Sequence, residues 1–143
     1  MKLDFEKNYT ILDGAMGTEI QKRGLKLGGI PELLNITAPE MIEEIHLSYM
    51  EAGSDIVYAN TFGANGYKLK NSGYSVAEIV GKGIEIAKKA SDTFFEKTGK
   101  RVIVALDLGP RRASQNNPQK TEPWASDTAW RPTSEPGRYR CGR

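Results

Sequence analysis

From Arg111 to Arg143 the chain contains no Ile, Leu, Val, Met or Phe, so any hydrophobic core must be built from residues 1–110. Burial of such side chains is the main favourable term in folding, and a stretch without them has little to set against the entropy of ordering its backbone. Other properties change at the same point. Residues 1–110 carry 11 Lys and 2 Arg against 15 acidic residues, whereas residues 111–143 carry one Lys and 6 Arg against 3. Both Trp, the one Cys and four of the seven Pro also fall in the second part, and the net charge of +2 arises there alone. The sequence therefore divides into residues 1–110, a candidate folded unit, and residues 111–143, an Arg- and Pro-rich tail expected to be disordered.

Within residues 1–110, three short apolar runs alternate with helix-length segments. The first run, "YTIL" at 9–12, stops at Asp13 and the turn "DGAMG", after which a helix is expected from Met16 to Arg23 with Gly24 ending it. In "TAPEMIEEIHLSYMEAG", Thr37 and Glu40 have the spacing of a capping box, Pro39 suits a first turn, and Gly53 supplies a stop. Met41, Ile42, Ile45 and Tyr49 form its apolar stripe, while His46 reads as a solvated or partly packed helix residue. The second run, Ile56–Ala59, reads as a buried parallel strand. A second helix follows, with Ser75 and Glu78 at capping-box spacing and Ile79, Gly83, Ile86, Ala87, Ala90 and Phe94 on one face. The third run, "RVIVAL", leads to Asp107.

Strands alternating with helical crossovers imply parallel pairing and an α/β fold. Each strand ends in a polar residue before a Gly-containing turn: Asp13 before Gly14, Asn60 before Gly63, Asp107 before Gly109. In parallel α/β folds the carboxyl ends of the strands carry the chemistry. Taken singly, the motifs allow plainer readings: Asp13 as a helix cap, Asn60 as a turn residue, Asp107 as a structural acid.

No stretch approaches the roughly 18 apolar residues of a membrane span, and the charged start "MKLDFEKNYT" lacks the apolar segment of a secretory signal. A soluble, cytoplasmic protein without a membrane partner is expected. A lone Cys141 can neither form an internal disulfide nor by itself build a zinc site.

Together and in order, "ILDGAMGTEIQKRG", "PELLNITAPEMIEEIHLSYMEAGSDIVYANTFGAN" and "VIVALDLGP" resemble the start of the homocysteine S-methyltransferase family, in particular the homocysteine-binding module of the cobalamin-dependent methionine synthases. The resemblance covers residues 9–110 and implies the first three strands of a (β/α)8 barrel. It further implies homocysteine as substrate, a zinc ion held by three cysteines that keeps the substrate thiol deprotonated, and a methyl donor such as methylcobalamin charged by methyltetrahydrofolate, S-methylmethionine or betaine. Carried onto this chain, Asp13 would accept the substrate ammonium, and the backbone N–H groups of Gly14, Ala15 and Met16 would meet its carboxylate. Asn60 and Thr61 would line the pocket near the sulfur.

The family's zinc cysteines stand in an Asn-Cys pair and a Gly-Gly-Cys-Cys run, neither of which occurs here, and Cys141 in "RYRCGR" matches no such motif. No residue of this chain is therefore assigned to metal, and none to catalysis. A chain of three strands is expected to be inactive alone, to lack the remaining barrel and donor modules, and to be prone to aggregate through open sheet edges. The swap of Lys for Arg and the loss of aliphatics after Pro110 look like translation in a wrong reading frame. Two other readings are a metal-free α/β amino-acid-binding module and a nucleic-acid binder with Trp124 and Trp130 stacking on bases. Nucleic acid is not expected as a partner, because seven bases interspersed with three acids leave a weak electrostatic footprint.

Overall fold

A computed structural model of the chain describes residues 9–25, 29–109, 130–132 and 139–141. Two units separate, Met1–Gly109 and Pro110–Arg143. In the first, helix α1 (Met16–Lys22) is followed by a 3-10 turn (Pro31–Leu33), helix α2 (Leu34–Thr37), helix α3 (Pro39–Glu51), strand β1 (Ile56–Tyr58), helix α4 (Val76–Thr98) and strand β2 (Ile103–Ala105). The order is that of an α/β fold. In the second unit, β3 (Trp130–Pro132) pairs antiparallel with β4 (Tyr139–Cys141). These six residues form a strand pair; the expectation of a disordered tail otherwise lies outside the described residues.

β1 and β2 run parallel, with Ile56, Val57 and Tyr58 opposite Ile103, Val104 and Ala105. The first apolar run does not form a full strand. It contributes one parallel bridge, Leu12 to Ile56, supported by Asp55 N–H and Ile56 N–H donating to the Ile11 carbonyl and by Asp13 N–H donating to the Ile56 carbonyl at 3.0 Å. β1 is therefore central, flanked by residues 11–13 and by β2.

The helices cover one face of this sheet. Val57 is fully buried and packs with Met50, Ala90, Phe94 and Val102, and a second cluster joins Ile20, Ile42, Ile45 and Ile86. The expectation of a buried second strand holds for Val57 and Ala59 but not for Ile56 and Tyr58, which are half-buried, as is all of β2. Tyr9, Ile11 and Leu12 at one edge, and Leu106 and Leu108 at the other, are exposed. Among the described residues of this unit, helices pack on one side of the sheet, and the apolar side chains at its two edges are exposed.

α4 begins and ends as its sequence requires. Glu78 N–H donates to Ser75 Oγ at 3.2 Å, Ser75 N–H donates to Glu78 Oε2 at 2.8 Å, and Gly99 closes the helix at φ 71°. All six expected core residues of α4 are buried. The capping box expected at Thr37 does not form. α2 extends through Thr37, whose hydroxyl donates to the Leu33 carbonyl, so α3 starts from Ala38 with Pro39 in its first turn. α3 ends at Glu51, and Gly53 follows its C-cap Ala52 at φ 107°. The solvated or partly packed reading of His46 is also corrected: the side chain is fully buried, and neither ring nitrogen has a hydrogen-bond partner. It lies one position after Ile45 on the covered face of α3, beside Ile42 and Met50.

Candidate functional site

The segments that follow the bridge residue Leu12, β1 and β2 meet at the same end of the sheet. There they enclose a cavity of about 180 Å³ lined by Asp13, Gly14, Ala15, Met16, Tyr58, Ala59, Asn60, Thr61, Phe62 and Asp107. All six residues singled out in the sequence line it. Tyr58, Phe62 and Asp107 line it as well.

Asp13 does not cap α1; the residue at the N-cap is Ala15, and no side chain caps the helix. Its carboxylate Oδ2 instead accepts the Tyr58 N–H at 2.9 Å, which ties the first turn to the end of β1. Burial pushes the Asp13 carboxyl above its usual range; the Tyr58 N–H and Asp13's own backbone N–H pull the other way, and the Asp107 charge adds to the rise. Among the described residues, no backbone acceptor takes the N–H of Gly14, Ala15 or Met16.

Gly14 is small for a reason internal to the protein. A Cβ there would fall 2.9 Å from both Cε1 and the hydroxyl of Tyr49, whose O–H donates to the Ala15 carbonyl at 3.3 Å. Tyr49 thus supports the "DGAMG" turn from behind. Gly14→Ala is expected to cost about 1–3 kcal/mol by forcing the ring aside. Urea unfolding of Gly14→Ala and of Gly14→Ala with Tyr49→Leu checks this, since the second change should recover stability; no recovery would remove Tyr49 as the cause.

Asn60 and Thr61 line the cavity, yet much of their hydrogen-bonding capacity is engaged by the scaffold. Asn60 Nδ2 donates to the Pro31 carbonyl at 3.0 Å and to Asn35 Oδ1 at 2.9 Å, leaving only its Oδ1 for a ligand. The Thr61 hydroxyl donates to the Asp107 carbonyl at 2.7 Å and accepts the Asp107 N–H at 3.2 Å. It locks the turn after β1 to the exit of β2. The next turn is held by Glu32, a buried residue whose Oε1 accepts the Gly63 N–H at 2.6 Å.

Asn35, Tyr49 and Glu32 are functional supports that motif reading missed. Asn35 left a signal: an amide set among the aliphatics of "ELLNIT" must be buried with partners or turned outward. Among the described residues, no three His, Cys, Asp or Glu side chains are grouped so as to hold a metal ion. The Cys141 side chain lies outside what is described.

A family model described as homocysteine S-methyltransferase matches residues 10–131. That span runs past residue 110, where the sequence resemblance was read to stop. Methionine synthase of Mycobacterium tuberculosis is 39% identical over 109 residues, covering 68% of this chain and 9% of that protein. Selenocysteine Se-methyltransferase of Brassica oleracea var. italica is 32% identical over 94 residues, covering 62% of this chain and 27% of its own length. Among solved structures, the metallated homocysteine methyltransferase MmuM from Escherichia coli superposes with a TM-score of 0.68 at 28% identity, over 74% of this chain and 40% of that one. The chain thus spans well under half the length of each of these relatives.

Proposed function

The chain belongs to the homocysteine S-methyltransferase family, and on that footing we propose that residues 9–109 are the opening part of a (β/α)8 barrel whose pocket receives the amino-acid end of homocysteine. The observation that carries this reading is the convergence of Asp13, Gly14, Ala15, Met16, Asn60 and Thr61 on one cavity at the carboxyl ends of the strands. Asp13, when ionised, supplies an acceptor for the ligand ammonium, and the N–H groups of Gly14, Ala15 and Met16 supply donors for its carboxylate. Tyr58 N–H and Tyr49 hold these groups in place before the ligand arrives.

Methyl transfer needs the substrate sulfur as thiolate, and a free thiol of pKa about 8.5 is mostly protonated at neutral pH. The residues present do not fit the zinc that the family implies. The cavity offers two acidic residues and the thioether of Met16 but neither thiolate nor imidazole, and no three-residue donor group exists among the described residues. No catalytic step is derived for this chain. The methyl donor, the remaining barrel and a cytoplasmic setting belong to the same proposal and are not needed for the binding it describes.

The full chain is expected to melt at a higher temperature in millimolar homocysteine, because a ligand that binds only the folded state stabilises it by RT ln(1 + [L]/Kd). Methionine formation with added zinc and a methyl donor is expected to stay at background. An unchanged melting temperature, or zinc-dependent turnover, would contradict the respective halves of this reading. For residues 111–143 two observations pull apart: composition breaks at residue 110, whereas the family match runs to 131. The composition supports a shifted reading frame, and resequencing the coding region in all frames tests it.

A further inference from the structure

Asp107, expected from the sequence to be a structural acid, lines the cavity. Its backbone is fixed on both sides by the Thr61 hydroxyl, at 2.7 and 3.2 Å, and the chain beyond it is pinned by Gly109 N–H donating to the Phe62 carbonyl at 2.9 Å. A Cβ on Gly109 would collide with that same carbonyl, so the exit of β2 can sit this close only with glycine there. All of these bonds are made by the backbone. Among the described residues, the Asp107 carboxylate itself makes no hydrogen bond or ion pair, although the residue is half-buried. A carboxylate serving structure at a strand end would cap a helix or pair with a base; this one does neither, and Asp107 is, with Asp13, one of two acidic residues lining the cavity.

The remaining lining residues are Gly14, Ala15, Met16, Tyr58, Ala59, Asn60, Thr61 and Phe62, so the cavity holds two acids and no base. Two like charges close enough to influence one another are unfavourable without a cation between them. We propose that Asp107 is a second ligand-contacting carboxylate, which shares with Asp13 the ammonium group of an amino-acid ligand and makes the pocket selective for ligands that carry one. The proposal rests on the homocysteine reading above and adds the residue that sets amine selectivity. Thr61 and Gly109 are then positioning residues, fixing the backbone from which the carboxylate projects.

The test uses the full chain and two probes, L-homocysteine and its des-amino analogue 4-mercaptobutanoate, titrated by NMR against wild type, Asp13→Asn and Asp107→Asn. Asp107→Asn leaves the backbone bonds to Thr61 intact, so folding is retained. Loss of one charge-assisted hydrogen bond weakens homocysteine binding about tenfold, with binding of the analogue unchanged or improved. Asp107→Asn binding homocysteine as tightly as wild type, while Asp13→Asn is weakened, would overturn the role of Asp107 and leave the pocket reading standing. Failure of wild type to bind homocysteine, or equal affinity for both probes in all three proteins, would overturn both.

Discussion

Acidification from pH 7 to pH 4 is expected to remove about 3 kcal/mol of folding stability through His46 alone. Its imidazole is fully buried on α3 and neither nitrogen has a partner, so burial pushes its pKa from 6.5 down to about 4. In the unfolded chain the ring takes up a proton near 6.5, whereas the folded chain refuses it until about 4. The stability is therefore fully present above pH 6.5, declines as pH falls through this window, and is gone below about 4. Asp13 acts in the opposite sense. Its raised pKa favours the folded state as it becomes protonated, so it offsets part of the loss at the acid end. His46→Leu keeps a similar volume and removes two unsatisfied polar atoms. It should abolish the decline between pH 6.5 and 4 and raise stability at neutral pH. Urea unfolding at half-unit pH steps reads both effects; a wild-type profile flat across this window would show that the ring finds a partner.

Replacing Asn35 by Leu is expected to cost about 2–4 kcal/mol and to abolish the response to homocysteine. Asn35 Nδ2 donates to the Asn60 carbonyl at 2.9 Å and to the Ile79 carbonyl at 3.1 Å, and Oδ1 accepts from Asn60 Nδ2 at 2.9 Å. It joins α2, the turn after β1 and the first turn of α4. A leucine would strand one N–H of the Asn60 side-chain amide, together with the Asn60 carbonyl, in a buried setting, and space is short on the far side. Gly83 of α4 approaches so closely that a Cβ there would be 2.8 Å from Asn35 Nδ2 and 3.2 Å from the Asn60 carbonyl. Denaturant melts and homocysteine titration of Asn35→Leu test this. A cost below about 1 kcal/mol would mean that the network is not what holds the turn.

These two side chains also mark where sequence reading stops. α4 was readable nearly residue by residue, because its cap, stripe and terminal glycine are local signals that agree with one another. Asp13, Asn60 and Asp107 were readable because a strand end followed by a glycine turn has one favoured place in a parallel α/β sheet, whereas Gly14, Ala15, Met16 and Thr61 followed only from the family resemblance. His46 was not readable. Its position on α3 is flanked by Ile45 and Leu47, and local pattern gives no reason to bury an imidazole without a partner. Thr37 failed as a cap because the competing bond to Leu33 comes from α2, a four-residue helix too short to leave a periodic signal. The support for Gly14 was invisible for another reason: Tyr49 lies 35 residues away and meets it only once α3 packs against the turn.

The pocket as an amino-acid site is tested most directly by a heteronuclear NMR titration of the full chain with L-homocysteine. Saturable shifts of the Gly14, Ala15 and Met16 amides, with accompanying shifts at Tyr58 and Thr61, are the expected result, since the ligand carboxylate would occupy those donors. Amides that do not move, or shifts confined to the groove lined by Asn35, Glu43, Lys82 and Lys89 on the helical face, would contradict it.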